Sequence, residues 1–192
     1  MSEGYRLQFH KQGTWRHEQP WVIIDVYVNV NQQINHCGPF FMSEPTPDNG
    51  DNEVLRQRVQ DSLDRQGMMK HLGVRLVRVA PGSVTLVLPY SDRVTQQQGG
   101  FHGGAMGALA DIAGGYAALT VAPEGMEVTT VEYKINFLAA FQGGELQATG
   151  SVTRAGKRII VAAAEVVHVA PDGKRSDCAL MQQTLVPVPK TY

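Results

Sequence analysis

Cysteines and recognisable cofactor motifs are scarce in this chain of 192 residues. The two cysteines, Cys37 and Cys178, are far apart and lack metal-ligand spacing, which argues against a disulfide scaffold and favours a reducing compartment, the cytoplasm. There is no phosphate-binding loop, dinucleotide fingerprint, Cys/His metal pattern or Gly-x-Ser-x-Gly elbow. These absences predict an activity that uses no metal and no bound cofactor.

Charge of one sign and long hydrophobic runs are also lacking. The formal net charge is -1, so bulk electrostatics give no reason to expect a nucleic-acid partner. The most apolar segment, residues 105–122, is interrupted by Asp111, and its uncharged part is shorter than the ~20 residues that cross a bilayer. The N-terminus has no signal-peptide pattern. We therefore expect a cytoplasmic globular protein without a membrane partner.

The N-terminal part of the chain differs in composition from the rest. Both tryptophans fall in the first 41 residues, and residues 42–51 have the polar, proline-containing composition of a disordered segment. We interpret residues 1–52 as a poorly ordered extension, with Met42 as a candidate native start, and residues 53–192 as the single domain. A short strand packed on the edge of that domain is the alternative, and N-terminal sequencing of the native protein distinguishes the two.

Periodicity and turn signals predict the elements of the domain. They indicate one helix over 53–71, a hairpin of strands 72–79 and 83–89 joined by Ala80-Pro81-Gly82, and a polar loop over 92–101. A long helix from about 103 to 121 is followed by four strands in a meander, at 127–138, 145–153, 158–170 and 176–186. Tight turns favour antiparallel pairing, so the expected class is α+β, with about six antiparallel strands wrapped around one central helix.

Asp111 is the most informative residue of the long helix. A carboxylate inside a nearly apolar helix is costly unless it has a partner or a function. Glycines 107, 114 and 115 lie one turn away, and each costs ~1 kcal/mol against alanine in a helix interior. We interpret them as keeping space open beside a functional carboxylate. The alternative is that Asp111 bonds to nearby backbone and the glycines serve close helix packing.

The run His102-Gly103-Gly104 opens the same helix. Glycines at a helix start let a ligand approach the free backbone N–H groups at the positive end of the helix dipole, which suits a carbonyl oxygen that becomes an oxyanion. His102 is either a base or a structural residue that holds the turn, and its position favours the second role.

The spacing of these two features has a geometric consequence. Gly103 and Asp111 are eight residues apart, about 12 Å along a helix. One helix therefore does not bring both to the same carbonyl carbon. If both act, they come from two chains related by a two-fold axis, which predicts a homodimer, or a homotetramer built from it, with shared sites.

Two runs carry a resemblance to a known family: Gln-Gln-Gln-Gly-Gly-Phe-His-Gly-Gly-Ala-Met-Gly-Ala-Leu-Ala-Asp at 96–111 and Val-Glu-Tyr-Lys-Ile-Asn-Phe-Leu at 131–138. Over roughly residues 53–188 the chain resembles the PaaI-type hotdog acyl-CoA thioesterases. This implies the hotdog fold and hydrolysis of an acyl-CoA to a free acid and CoA. It also implies that Gly103 binds the thioester carbonyl, that the partner chain's Asp111 is base or nucleophile, and that Gln96 orients the thioester or water.

The resemblance extends to substrate binding, with departures. It places Gly99, Gly104 and Gly115 at the substrate, although position 115 carries Ser or Thr in some relatives, which leaves water positioning open. The usual proline after the second run is replaced by Ala139-Ala140. Arg154, Lys157 and Arg158 form a cluster for the CoA phosphates, or else a solvated hairpin.

Two other functions remain open on the same fold. A non-catalytic acyl-CoA-binding module would keep the groove but could dispense with Asp111. A hotdog dehydratase would need a catalytic histidine facing the acid, for which His102 is the only candidate. Apolar Met106, Ile112 and Tyr116 near the site favour an aromatic or medium-chain acyl group.

Overall fold

The structure, a computed structural model, describes residues 53–192. The proposed N-terminal extension of residues 1–52, with its candidate start at Met42, lies outside the described residues and stays a prediction.

The described elements comprise three α-helices, one short 3-10 turn and six strands. The helices are α1 Glu53–Leu63, α2 Gly67–Leu72 and α3 Gly103–Val121, and the 3-10 turn is Asp92–Val94. The strands are β1 Arg75–Ala80, β2 Ser83–Pro89, β3 Met126–Phe137, β4 Glu145–Ala155, β5 Ile160–Val169 and β6 Arg175–Pro189.

The six strands form one antiparallel sheet in the order β1-β2-β4-β5-β6-β3. It wraps around α3, and the predicted class, strand number and hotdog arrangement are confirmed. The predicted meander of the last four strands is confirmed for β4, β5 and β6 but is wrong for β3, which pairs with β6 and not with β4. Residues 138–144 carry the chain across to β2, against which β4 pairs from Ser83↔Ser151 to Pro89↔Glu145.

The predicted single helix over 53–71 is also wrong, because the chain breaks it into α1 and α2. After Leu63 the bonds tighten to Arg65 N→Ser62 O and Gln66 N→Leu63 O, and Gln66 is extended with φ -84° and ψ 100°. Helix α2 then ends at Gly73, whose φ of 78° is a left-handed conformation that glycine adopts at low cost. The break brings Ser62 and Gln66 within hydrogen-bond distance of Tyr116 on α3.

Helix α3 is seated on the sheet by small residues. Ala110, Ala113 and Ala117 are fully buried, and a Cβ atom on Gly150 of β4 would lie 2.1 Å from the carbonyl oxygen of Ala113. Backbone therefore packs on backbone. By length and composition α3 also resembles a membrane span, but 67% of its most apolar stretch is buried within the domain, as expected for a core helix.

Strand β3 contains a bulge that changes which side chains face α3. The pairing with β6 shifts between Thr130 and Glu132, leaving Val131 as the extra residue. The regular alternation predicted across this strand therefore fails at Val131. Thr130 faces α3 before the bulge, and after it Tyr133 and Phe137 lie beside the glycines of α3.

Candidate functional site

The carboxylate of Asp111 is held by two side chains from distant strands. Thr130 Oγ1 of β3 donates to Asp111 Oδ1 at 2.8 Å, and Gln183 Nε2 of β6 donates to the same oxygen at 3.1 Å. Within residues 53–192, Oδ2 has no hydrogen-bond partner. Asp111 is half-buried and its side-chain partners lie on the sheet, so the alternative of a local backbone bond does not describe this residue.

A pocket of about 90 Å³ adjoins this carboxylate. Gly115 helps to form it: a Cβ atom there would lie 3.9 Å from Leu185 Cδ2, so the missing side chain leaves open space beside Asp111. The pocket is lined by residues of α1, the α1–α2 break, α3, β3 and β6, namely Ser62, Gln66, Asp111, Ile112, Gly115, Tyr116, Leu119, Glu127, Val128, Thr130 and Leu185. Of the three apolar residues predicted near the site, Ile112 and Tyr116 line the pocket, whereas Met106 is in the core.

One wall of the pocket is polar and hydrogen-bonded. Gln66 Nε2 donates to the hydroxyl of Tyr116 at 2.8 Å, and that hydroxyl lies 3.5 Å from Ser62 Oγ. Burial raises the pKa of Tyr116 from 10.0 to about 12, so the residue is a neutral hydroxyl at physiological pH. The wall supplies hydroxyl and amide groups rather than charge at this point.

The start of α3 carries a second cluster, shaped by the loop before it. His102 is the N-cap, and its Nδ1 accepts a hydrogen bond from Gly104 N at 2.8 Å. Because Nδ1 accepts this bond, it is not free to act as a base. Gly103 N falls in the first turn, where backbone N–H groups have no partner within the helix.

The loop at residues 95–101 places Gln96 and Gly99 near the helix start. Gln96 N donates to Gly100 O at 2.8 Å, and Gln96 Oε1 accepts from Gln98 N, so the side-chain carbonyl stabilises its own turn. Tyr90 Oη donates to Gly99 O at 2.5 Å, and Gly99 has a φ of 85°. The side-chain amide group of Gln96 lies beside Gly100.

The three predicted cations lie at the β4–β5 hairpin and are exposed. The hairpin is closed by Gly156 N→Ile159 O at 3.0 Å, and a Cβ on Gly156 would lie 2.5 Å from that oxygen. Ile160, where β5 begins, pairs with Leu185, which in turn pairs with Thr130. Thr130, which donates to Asp111, therefore lies two strands across the sheet from Ile160. Ile160 directly follows the hairpin that carries Arg154, Lys157 and Arg158.

One chain therefore brings together some predicted residues and separates others. Asp111 and Gly115 share the pocket, whereas Gly103, Gly104, His102, Gln96 and Gly99 lie at the helix start, and Gly103 is not among the pocket-lining residues. Eight helical residues separate Gly103 from Asp111 in the same chain, which is about 12 Å. In the described part of the chain, no group of three or more His, Cys, Asp or Glu side chains is arranged to hold a metal.

Sequence reasoning missed Thr130 and Gln183. Gln183 left a signal, because it occupies an inward position of β6 between buried Met181 and Leu185, where an apolar residue is expected. Thr130 left none, because a β-branched threonine is ordinary in a strand. The two donors come from strands that are distant from Asp111 in sequence.

Comparison with known proteins agrees with this architecture. Residues 98–172 match the family model described as the thioesterase superfamily. Over 107 residues the chain is 36% identical to a Saccharolobus solfataricus protein named "Putative esterase SSO2140", covering 56% of this chain and 74% of that protein.

Two solved structures extend the likeness. A thioesterase family protein from Silicibacter pomeroyi superposes with a TM-score of 0.68 at 36% identity, covering 71% of this chain and 99% of that one. The PaaI protein of E. coli, from the phenylacetic acid degradation operon, has a TM-score of 0.64 at 23% identity and covers 74% of this chain and 99% of its own, which is a likeness of fold. On the strength of the two 36% identical relatives, with which the matched family model agrees, the chain belongs to the thioesterase superfamily and has the hotdog fold.

Proposed function

We propose that this member of the thioesterase superfamily hydrolyses acyl-CoA thioesters to a free carboxylic acid and CoA. The observation that carries the proposal is the arrangement of Asp111. Two donors hold Oδ1, and Oδ2 is left without a partner in residues 53–192, beside a pocket of about 90 Å³. A carboxylate oriented in this way is available to a water molecule or to a thioester carbon.

The start of α3 supplies the complementary group. A thioester carbonyl becomes an oxyanion when it is attacked, and a backbone N–H at the positive end of a helix stabilises that charge. Gly103 N provides such a donor, whereas Gly104 N is already bonded to His102 Nδ1. Gln96 and Gly99, in the loop before the helix, lie on the side from which the substrate approaches in this proposal.

Two chemical routes lead to the same products. In the first, Asp111 takes a proton from water and hydroxide adds to the carbonyl carbon; the carbon–sulfur bond then breaks, and the CoA thiolate takes the proton back from Asp111. In the second, Asp111 adds directly, CoA thiolate leaves, and water cleaves the resulting anhydride. Asp111 activates the attacking water in the first route and is itself the nucleophile in the second, and Gly103 stabilises the oxyanion in both, so both routes require Asp111 and Gly103.

We propose further that two chains complete each site. Within one chain Gly103 and Asp111 are about 12 Å apart along α3. Strand β3 is an edge of the sheet, and it exposes Val131 (60%), Tyr133 and Phe137. An exposed apolar edge strand is a surface on which a second copy pairs. A two-fold contact there places antiparallel α3 helices side by side, so that Asp111 of one chain meets Gly103 of the other; a tetramer would consist of two such dimers.

In this proposal the cations of the β4–β5 hairpin bind the nucleotide part of CoA. Arg154, Lys157 and Arg158 are exposed and close together in sequence, and guanidinium groups suit phosphate oxygens. The described pocket takes the acyl end. We expect the enzyme to act in the cytoplasm and to need no metal or bound cofactor.

The direct test is release of free thiol from a panel of acyl-CoAs, comparing wild type with Asp111→Asn. We expect turnover by the variant to fall by ~10² to 10⁴, as for loss of an essential base, while circular dichroism shows an intact fold. Asp177→Asn is the matched control, because Asp177 is an exposed aspartate on β6. Wild-type turnover in the Asp111 variant would refute the assignment, and binding of acyl-CoA without thiol release would show a binding module instead.

A further inference from the structure

We propose that Gln183 is a positioning residue that fixes the orientation of Asp111. The inference rests on the proposed function, since it assigns how the catalytic carboxylate is aimed. It concerns a residue of β6 that does not line the pocket and does not touch the acyl group in the arrangement described above.

One amide group of Gln183 makes two contacts with Asp111. Its Nε2 donates to the backbone carbonyl oxygen of Asp111 at 3.1 Å and to the side-chain Oδ1 at 3.1 Å. Two contacts from one planar group to both parts of the same residue restrict the rotation of the carboxylate. Thr130 adds a third contact, to Oδ1 alone. With Oδ1 occupied twice, Oδ2 is the oxygen that faces the reaction.

The orientation of the Gln183 amide follows from its neighbours. Both atoms of Asp111 that it contacts are acceptors, so the NH₂ group and not the carbonyl oxygen must face them. Gln183 is fully buried, and its Oε1 has no hydrogen-bond partner in the described residues. A buried, unpaired acceptor is unfavourable, which indicates that the side chain is retained for its contacts with Asp111.

Gly114 completes the arrangement. A Cβ atom on residue 114 would lie 2.2 Å from Gln183 Oε1 and 2.8 Å from its Cδ. No side chain fits there while Gln183 keeps its position. This assigns separate tasks to neighbouring glycines of α3: Gly115 leaves space for the pocket, and Gly114 leaves space for Gln183.

The first test is the kinetics of Gln183→Met, which keeps the approximate length of the side chain and removes both donors. Loss of a hydrogen bond to a charged group is expected to lower kcat by about 10- to 100-fold. KM should be unchanged, because Gln183 does not line the pocket. The matched control is Gln182→Met, a change at the neighbouring exposed position of β6. A kcat equal to that of wild type, or a loss expressed only in KM, overturns the proposal.

A second test uses Gly114 and does not depend on one variant alone. Gly114→Ala should lower kcat in the wild-type background, because the new methyl group displaces Gln183. In a Gln183→Ala background the space is vacated, so adding Gly114→Ala should cause no further loss of kcat. Independent, multiplying losses would show that Gly114 and Gln183 do not act through the same contact, and would contradict the proposal.

These outcomes are separable from failure of the proposed function. If wild type hydrolyses acyl-CoA and Asp111→Asn does not, the function stands whatever Gln183→Met does. If wild type releases no thiol from any acyl-CoA, the proposed function fails, and crystal structures of wild type and Gln183→Met then decide the positioning role. We expect the Asp111 carboxylate to rotate in the variant, and an unchanged carboxylate would overturn the inference.

Discussion

The ring of Phe137 packs against Gly103, so that a Cβ atom on residue 103 would lie 3.3 Å from Phe137 Cζ. Phe137 ends β3 and is 53% exposed, and a Cβ atom on residue 103 would require its ring to shift by a few tenths of an ångström. Residue 103 is therefore a position at which the backbone N–H can be tested by substitution without disrupting the core.

Gly103→Pro should abolish the proposed oxyanion donor while keeping the helix. Proline is favoured at the first helical position, and His102 already has the extended conformation (φ -71°, ψ 134°) that a residue before proline prefers. Removing one oxyanion donor is expected to lower kcat by about 10² to 10³. Thiol release from acyl-CoA measures this.

Gly103→Ala is the control, because it adds the same Cβ contact with Phe137 but retains the N–H. We expect it to lose much less activity than the proline variant. Equal losses in the two variants would indicate that bulk at residue 103, and not the missing donor, reduces turnover.

Val131→Lys should dissociate the proposed dimer and reduce activity together. The residue is 60% exposed at the bulge of the edge strand β3, and a charge on an edge strand opposes pairing with another chain. Sedimentation velocity should show a smaller species than wild type, and thiol release should fall in parallel, because each proposed site consists of residues from two chains.

Val77→Lys provides the comparison on the opposite edge of the sheet. Val77 is 43% exposed and also lies at a register shift, in β1. It should leave both mass and activity unchanged. A wild-type protein that is monomeric at assay concentration and still turns over acyl-CoA would contradict the two-chain site.

Gly150→Ala should destabilise the domain severely. The new Cβ would lie 2.1 Å from the Ala113 carbonyl oxygen, which is backbone and cannot rotate away. We expect a loss of at least ~3 kcal/mol in the free energy of unfolding, measured by urea denaturation. Gly67→Ala, where a Cβ meets nothing within 4 Å, should change stability by less than about 1 kcal/mol.

Alkaline pH should destabilise the protein through Cys178. Burial raises the pKa of this thiol from 9.0 to about 11, and the side chain is fully buried. Since the folded state holds the proton more tightly, its contribution to stability is complete below pH 9 and is lost as the pH rises towards 11, by roughly 2 to 3 kcal/mol. Tyr116 acts in the same direction at higher pH, with a pKa of about 12.

The urea midpoint as a function of pH measures this effect. The fall in midpoint above pH 9 should be smaller in Cys178→Ala than in wild type. Identical pH profiles for the two proteins would show that Cys178 does not contribute.

The sequence predicted those parts of the fold that are determined locally. The bounds of α3 and β2 were predictable because glycine and proline residues mark their ends. The helix has a glycine pair at one end and Pro123 and Gly125 just beyond the other. The break between α1 and α2 was missed because apolar spacing continues across Gln66, where only the backbone changes. The β3–β6 pairing joins residues about 50 positions apart, as in Thr130↔Leu185, and no turn signal specifies it.

The candidate site shows the same division. Asp111 was identifiable because a carboxylate in an apolar helix conflicts with its surroundings. The partners of Asp111 depend on the strand order and on the bulge at Val131, which changes the phase of β3. Hence the acid could be predicted from its own helix, whereas the groups that orient it required the folded sheet.

The direct contact between Gly150 and Ala113 restricts which positions of this protein can change without moving α3. The main chains of α3 and β4 touch at this point with no side chain between them, which fixes the position of α3 on the sheet. Asp111 lies two positions before Ala113, so its distance from the sheet is fixed as well. In the proposed thioesterase, new substrate preferences would therefore arise from substitutions at pocket-lining positions such as Ser62, Gln66 and Glu127, because a shift of the helix would disrupt its packing on β4.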